Sequence, residues 1–279
     1  MEGSPDRGFL GNLAVAPFPQ YAYVGRAQFQ RNFLSGFGAT DEIEYALISN
    51  IDRRTFEIEF RDVENRDNPC SRWTAFDADL HLLLVRMITS AAHDAAAALF
   101  NEQFESAVNR VGMKGALHPR RAGAHYAAIG AKQPDDAYLP VQLPPGRTPR
   151  WPSMVVEVAF SETATKLASD VRYWERASAG DVKLITTIRV FRNRPEIVLE
   201  NWGINHHGKR ERAQSITIKL VAGKAKVSGG PMVLDFEKLF LRAPMTPRER
   251  RNVVIRDKDL KLLAQHVWME QGFVPWGQI

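Results

Sequence analysis

Two carboxylates lie 22 residues apart in stretches that read as β-strands. They are Asp135, in Lys132-Gln133-Pro134-Asp135, and Glu157, in Val155-Val156-Glu157-Val158. A carboxylate inside an apolar strand loses its hydration when the sheet packs, so it needs a partner, a metal or a proton. In an extended strand Val155, Glu157 and Ala159 share one face, and Met154, Val156, Val158 and Phe160 share the other. With Asp135 at the matching height on a neighbouring strand, the two carboxylates could hold Mg²⁺ or Mn²⁺, which prefer oxygen ligands and keep several waters. Such an ion polarises a phosphodiester and generates a hydroxide nucleophile. The plainer alternative places Asp135 in a turn and pairs Glu157 with an arginine.

Several elements must position these groups. Ile43 to Ile48 and Thr55 to Phe60 are predicted strands joined by the turn-like Asn50-Ile51-Asp52-Arg53. The polar run Arg61 to Ser71 follows as an exposed loop, and Leu80 to Ile88 is a strand or the lead-in to a helix. Ser90 offers an N-cap to a helix carrying Ala97, Phe100, Phe104, Ala107 and Val111 on one stripe and ending at Gly112. His93 shares that stripe, which makes it a core or capping histidine or a metal ligand. Ala124 to Ile129, Pro134 to Val141 and Met154 to Phe160 read as strands. A helix from near Ser161 then puts Leu167, Val171 and Trp174 on one side and stops at Gly180. Val182 to Phe191, Glu196 to Trp202 and Ala213 to Val221 are predicted strands, and Asp259 to Met269 a short helix. This order predicts an α/β (α+β) protein with a mixed sheet flanked by helices, the helix after Glu157 being a right-handed crossover.

Composition narrows the partners. Of 279 residues, 44% are hydrophobic and 25% charged, enough for a sizeable core. The excess of five positive charges and a pI near 9.4 permit a phosphate-rich partner without demanding one. Basic residues cluster at Arg120-Arg121, at Arg189, Arg192 and Arg194, from His206 to Arg212, and from Arg248 to Arg251. They are solvated surface or phosphate contacts. Cys70 is the only cysteine, which excludes an intramolecular disulfide and a cysteine-based zinc site and fits a reducing compartment. Met1 to Arg7 carries charges and turn formers where a signal peptide has an apolar core, and no run approaches about 20 apolar residues. An intracellular protein, of cytoplasm or nucleus and without a membrane span, is expected. No phosphate-binding loop, nucleotide-binding glycine pattern, nucleophile elbow or zinc motif is present.

The string Lys132-Gln133-Pro134-Asp135, Val156-Glu157-Val158-Ala159-Phe160-Ser161-Glu162, Leu167, Asp170, Trp174 and Val182-Lys183-Leu184-Ile185 resembles a group of uncharacterised fungal proteins. These are similar to a bacterial family within the PD-(D/E)XK, or restriction endonuclease-like, nuclease superfamily. The resemblance runs from Phe76 to about Leu263 and includes Phe236-Glu237-Lys238-Leu239-Phe240-Leu241-Arg242. It implies a restriction endonuclease-like core over 76–279 with a C-terminal β/α extension, preceded by an N-terminal extension over 1–75 with a hairpin. It also implies Asp135 and Glu157 as catalytic metal ligands, with His93 or Asp94 completing the shell. One departure matters: the superfamily usually has lysine two residues after the glutamate, and here that residue is Ala159. In the bacterial family the lysine can come from the following helix, but the matching position before Trp174 is Asp170. Lys166, one turn earlier, or Lys183, on the next strand, would have to supply the amine. Lys166 could equally pair with Asp170 at i,i+4, and Lys183 could simply face solvent. The resemblance thus implies a metal-dependent nuclease acting on DNA or RNA, possible as a homodimer. The alternative is an inactive module of the same fold that binds nucleic acid or protein.

Overall fold

The computed structural model describes residues 8–13, 19–36, 44–62, 68–70, 73–87, 90–120, 123–161, 164–204 and 210–276. Met1 to Arg7, Arg121 and the basic residues His206 to Lys209 lie outside the described residues. The backbone divides into two compact units, Met1–Thr89 with Ala124–Gln133, and Ser90–Gly123 with Pro134–Ile279.

Along the chain come β1 (Gln20–Ala22), α1 (Arg26–Gly36), β2 (Tyr45–Ser49), α2 (Arg53–Thr55, running into a π-type turn over Phe56–Phe60), β3 (Trp73–Asp77) and β4 (Leu82–Arg86). Then follow α3 (Ala91–Arg110), β5 (Leu117–Pro119), β6 (His125–Ala127), β7 (Gly130–Lys132), β8 (Asp136–Pro140) and β9 (Met154–Phe160). The remainder is α4 (Thr165–Ser178), β10 (Leu184–Val190), β11 (Glu196–Ile204), β12 (Arg210–Val221), β13 (Lys224–Ser228), β14 (Met232–Leu234), α5 (Phe236–Phe240), β15 (Val253–Ile255) and α6 (Asp257–Glu270).

The first unit is built on a sheet ordered β1-β2-β4-β3-β7-β6. β3 and β4 belong to it, pairing with each other and with β2 and β7. The segment 124–133 returns to this sheet as a β6/β7 hairpin. The predicted strand over Thr55 to Phe60 is helical instead. Phe-Glu-Ile-Glu-Phe satisfies both a period of two and an i,i+4 spacing, and only Phe56 and Phe60 are buried while Ile58 is 65% exposed. The Asp52 side chain accepts from the Thr55 amide and starts the helical turn, and Phe56 stacks on Phe76 at 4.2 Å.

The second unit carries a sheet ordered β13-β12-β11-β10-β9-β8-β5. Only β9 and β10 run parallel in it, joined by α4 as the predicted crossover, so the sheet is mixed and flanked by helices. Met154, Val156 and Val158 face a core formed with Phe100 and Phe104 of α3 and Leu260 and Leu263 of α6. Helix α3 starts as expected, with the Ser90 hydroxyl accepting from the His93 amide at 3.1 Å. Helix α4 lies against β9 and β10 and ends with Ala179 and Gly180 both at positive φ. The opposite faces of β9 are therefore covered by different helices, and Glu157 points to the α4 side, where it meets Trp174.

Candidate functional site: carboxylates around a buried ammonium

The site arises where the β8–β9 ladder runs out. The last register pair is Asp136 with Val156, so continuing the antiparallel pairing would set Pro134 opposite Val158. Proline has no amide hydrogen, and the Val158 carbonyl cannot receive its ladder bond from it. Both polar groups of Val158 are instead met by side chains. Its N–H donates to Asp135 Oδ2 at 2.7 Å, and its carbonyl accepts from Lys166 Nζ at 3.3 Å. Pro134 thus has a mechanical role: it ends the ladder and lets the next residue turn its carboxylate toward β9.

Lys166 Nζ lies 2.9 Å from Asp170 Oδ2, 3.5 Å from Glu157 Oε2 and 3.9 Å from Asp135 Oδ2. Trp174 donates its indole N–H to the other oxygen, Glu157 Oε1, at 2.6 Å. His93 Nε2 approaches Asp135 Oδ1 at 3.5 Å without a geometrically sound hydrogen bond. Its Nδ1 is 3.4 Å from Asp94 Oδ1, an exposed carboxylate turned away from the cluster. The side chains of Asp135, Glu157, Lys166, Asp170 and His93 are all 4% exposed or less.

Asp135, Glu157, His93 and Lys166 are thus brought together, while Asp94 and Lys183 are not. Lys183 donates to the Gly180 carbonyl at 2.6 Å. It lines a separate cleft of about 470 Å³ with Arg147, Lys238 and Arg242. That cleft is at the other end of β9 and β10, since β10 starts at Leu184 opposite Met154. The i,i+4 pairing of Lys166 with Asp170 does form, but inside the protein and not on a helix surface.

Three participants carried no reliable signal in the sequence. Asp170 and the Val158 carbonyl complete the ring around the ammonium, and Trp174 is more than core packing because its N–H is spent on Glu157. A further buried network holds β8 in place on the opposite side. Asn101 of α3 donates to Asp136, and Tyr138 donates to Asn101 Oδ1 at 2.8 Å. Asp136 is the first residue of β8 and Asp135 lies in the bend before it, so the two carboxylates serve different environments.

The donors suit a hard cation in kind: carboxylate oxygens of Asp135 and Glu157, a backbone carbonyl, and the unsatisfied imidazole nitrogen of His93. Their point of convergence is held by the Lys166 ammonium. Among the described residues no three His, Cys, Asp or Glu side chains converge closely enough to form a metal shell.

No protein-family model matches the chain, and no curated protein is similar to it in sequence. Among solved structures it is similar to "a putative nuclease belonging to DUF820 from Anabaena variabilis ATCC 29413". The TM-score is 0.34 and the identity 11%, over 65% of this chain and 87% of that one.

Proposed function

We propose that the chain is a phosphodiesterase of the nuclease type, with Asp135 and Glu157 as the residues that would hold Mg²⁺ or Mn²⁺ and Lys166 as the amine. The single observation that carries the reading is the reach of Lys166. From a helix it brings its Nζ within 3.5 and 3.9 Å of the two carboxylates, on the strand face where Ala159 presents only a methyl group. The formal charge of Lys166, Asp135, Glu157 and Asp170 together is 1 − 3 = −2, which a divalent cation would offset. The bound ion would supply the polarised phosphoryl oxygen and the activated water. Lys166 would then orient that water or stabilise charge on the phosphate, Trp174 would fix the Glu157 rotamer, and the Val158 amide would fix Asp135. His93 is the remaining side chain able to join the shell.

The test is incubation of the pure protein with plasmid, single-stranded DNA and RNA, in Mg²⁺, Mn²⁺ or chelator. Asp135→Ala, Glu157→Ala and Lys166→Met serve as variants. Metal-dependent cleavage is expected, lost in the two carboxylate variants and lowered by roughly 10²–10⁴-fold in Lys166→Met. Cleavage that survives both carboxylate substitutions would point to a contaminant and remove the proposal. The complete burial of the ring favours one second reading, an inactive module of the same fold that binds nucleic acid or protein. Strand binding without cleavage in any metal would support it.

A further inference from the structure

The sheet face that carries Glu157 does not end at α4. Register continues it from Glu157 to Thr187, Glu200 and Ser215, and from Ala159 to Arg189, Val198, Thr217 and Ser228. Helix α4 packs on β9 and β10, while α3 and α6 form the core of the opposite face. On β12 and β13 this face is open: Ser215, Lys219, Lys224, Lys226 and Ser228 are exposed. An antiparallel sheet with one packed and one watered face is physically ordinary, but its charge here is one-sided. From β10 to β13, among the described side chains, it carries the cations Arg189, Arg212, Lys219, Lys224 and Lys226 against the carboxylates Glu196 and Glu200, or 5 − 2 = +3. The carboxylates are already engaged, Glu200 by Arg212 at 2.7 Å and Glu196 by Lys219 at 3.6 Å.

The geometry points to this face as a track for single-stranded nucleic acid leading to the Asp135–Glu157 cluster, an inference that rests on the phosphodiesterase reading for its destination. From Arg189 on β10, beside α4, to β13 there are three strand-to-strand steps of about 4.8 Å, roughly 14 Å in all, long enough for two or three nucleotides. The cations sit toward the β13 margin and at Arg189. Between them lie Val198, Thr217 and Ser215, a low surface of apolar and hydroxyl groups, with part-exposed Trp202 donating its N–H to Thr187 Oγ1 at 3.3 Å. A single strand can lay bases on such a surface while its phosphates reach the cations. A duplex keeps its base faces inside and would use only the charges.

The test measures fluorescence anisotropy of labelled 12-nucleotide single strands, DNA and RNA, and of the matching duplex. The full chain is kept in chelator across a salt series. The track variant is Lys224→Glu with Lys226→Glu, and the control is Lys258→Glu with Lys261→Glu on α6, an equal charge change among exposed lysines elsewhere. Single strands are expected to bind tighter than duplex. The track variant should weaken binding about tenfold or more and lower the log–log salt slope by about 1.4, near 0.7 for each phosphate no longer neutralised. Equal effects of the two double variants, no binding by the native chain, or a preference for duplex would each overturn the track. Because binding is read in chelator, it does not depend on whether the carboxylates take an ion. Binding to the track with no cleavage defeats only the phosphodiesterase reading, and cleavage indifferent to the track variant defeats only the track.

Discussion

Lys166 and a divalent cation answer the same electrostatic need in one cluster: an ion entering between Asp135 and Glu157 would move the ammonium toward Asp170, 2.9 Å away, and not out of the site. With three carboxylates around it and almost no solvent, the ammonium cannot be removed without leaving buried charge uncompensated. Loss of one partner from such a buried cluster costs on the order of 3–5 kcal/mol. Lys166→Met is therefore expected to lower the denaturant midpoint strongly in chelator. If the carboxylates take a metal, Mn²⁺ should restore part of that loss, raising Tm more in the variant than in the native chain. A variant as stable as the native chain, or one indifferent to Mn²⁺, would sink the shared-site picture. The two carboxylates could be read in the sequence because charge inside an apolar strand is chemically anomalous. The amine could not, because Lys166 and Asp170 at i,i+4 look the same whether a helix faces solvent or a sheet. Nor does any sequence pattern show that Pro134 leaves a carbonyl for Lys166 to meet.

At the scale of elements, the pattern of apolar residues told most where turn formers and caps bound it. The run from Met154 to Phe160 coincides with β9, and the Ser90 cap with the start of α3. It failed over Phe56 to Phe60, where one pattern serves two geometries and tertiary burial decides. That assignment has a direct check. Ile58→Lys should change stability by no more than about 0.5 kcal/mol, as a solvent-facing helical residue would. Phe56→Ala should cost about 3–5 kcal/mol, measured by urea denaturation. A strand would bury Ile58 with both phenylalanines or expose all three, so a large loss from Ile58→Lys would contradict the helical turn. The short elements β13, β14, α5 and β15 escaped the sequence for a related reason, since each is too short to show a period. The connection after α5 is held by charge: Arg242 and the Met245 amide both bond Glu249 Oε2, at 2.7 and 2.8 Å. The Arg242 guanidinium, with that amide, holds the Glu249 carboxyl down at about 2, against 4.5 ordinarily. A depressed carboxyl contributes stability above its unfolded value and loses it as pH falls toward the folded one. The Tm difference between the native chain and Glu249→Gln should thus be full at pH 7 and shrink between about pH 4.5 and pH 2. A difference independent of pH would mean the bonds do not need the charge.

For the whole molecule, the chain changes unit after Thr89, after Gly123 and after Gln133. No composition shift marks these points, because the segment 124–133 is an ordinary hairpin whose partner, β3, lies some fifty residues earlier in the chain. Long-range strand pairing of this kind leaves no local trace. Each unit nevertheless has a hydrophobic cluster of its own: Phe56, Trp73, Phe76 and Ala131 among the members of one, and Phe104, Val156, Ile188 and Trp268 among those of the other. Opening free energies follow such cooperative clusters more than chain order. Hydrogen exchange by mass spectrometry on Phe56→Ala should therefore show the largest loss of protection in β2, β3, β4 and also in β7, despite the sequence distance. Phe104→Ala should show its largest loss in β8, β9 and β10. If Phe56→Ala left 124–133 as protected as in the native chain while β3 opened, that segment would not belong to the first cooperative unit, and the division of the chain would have to be redrawn.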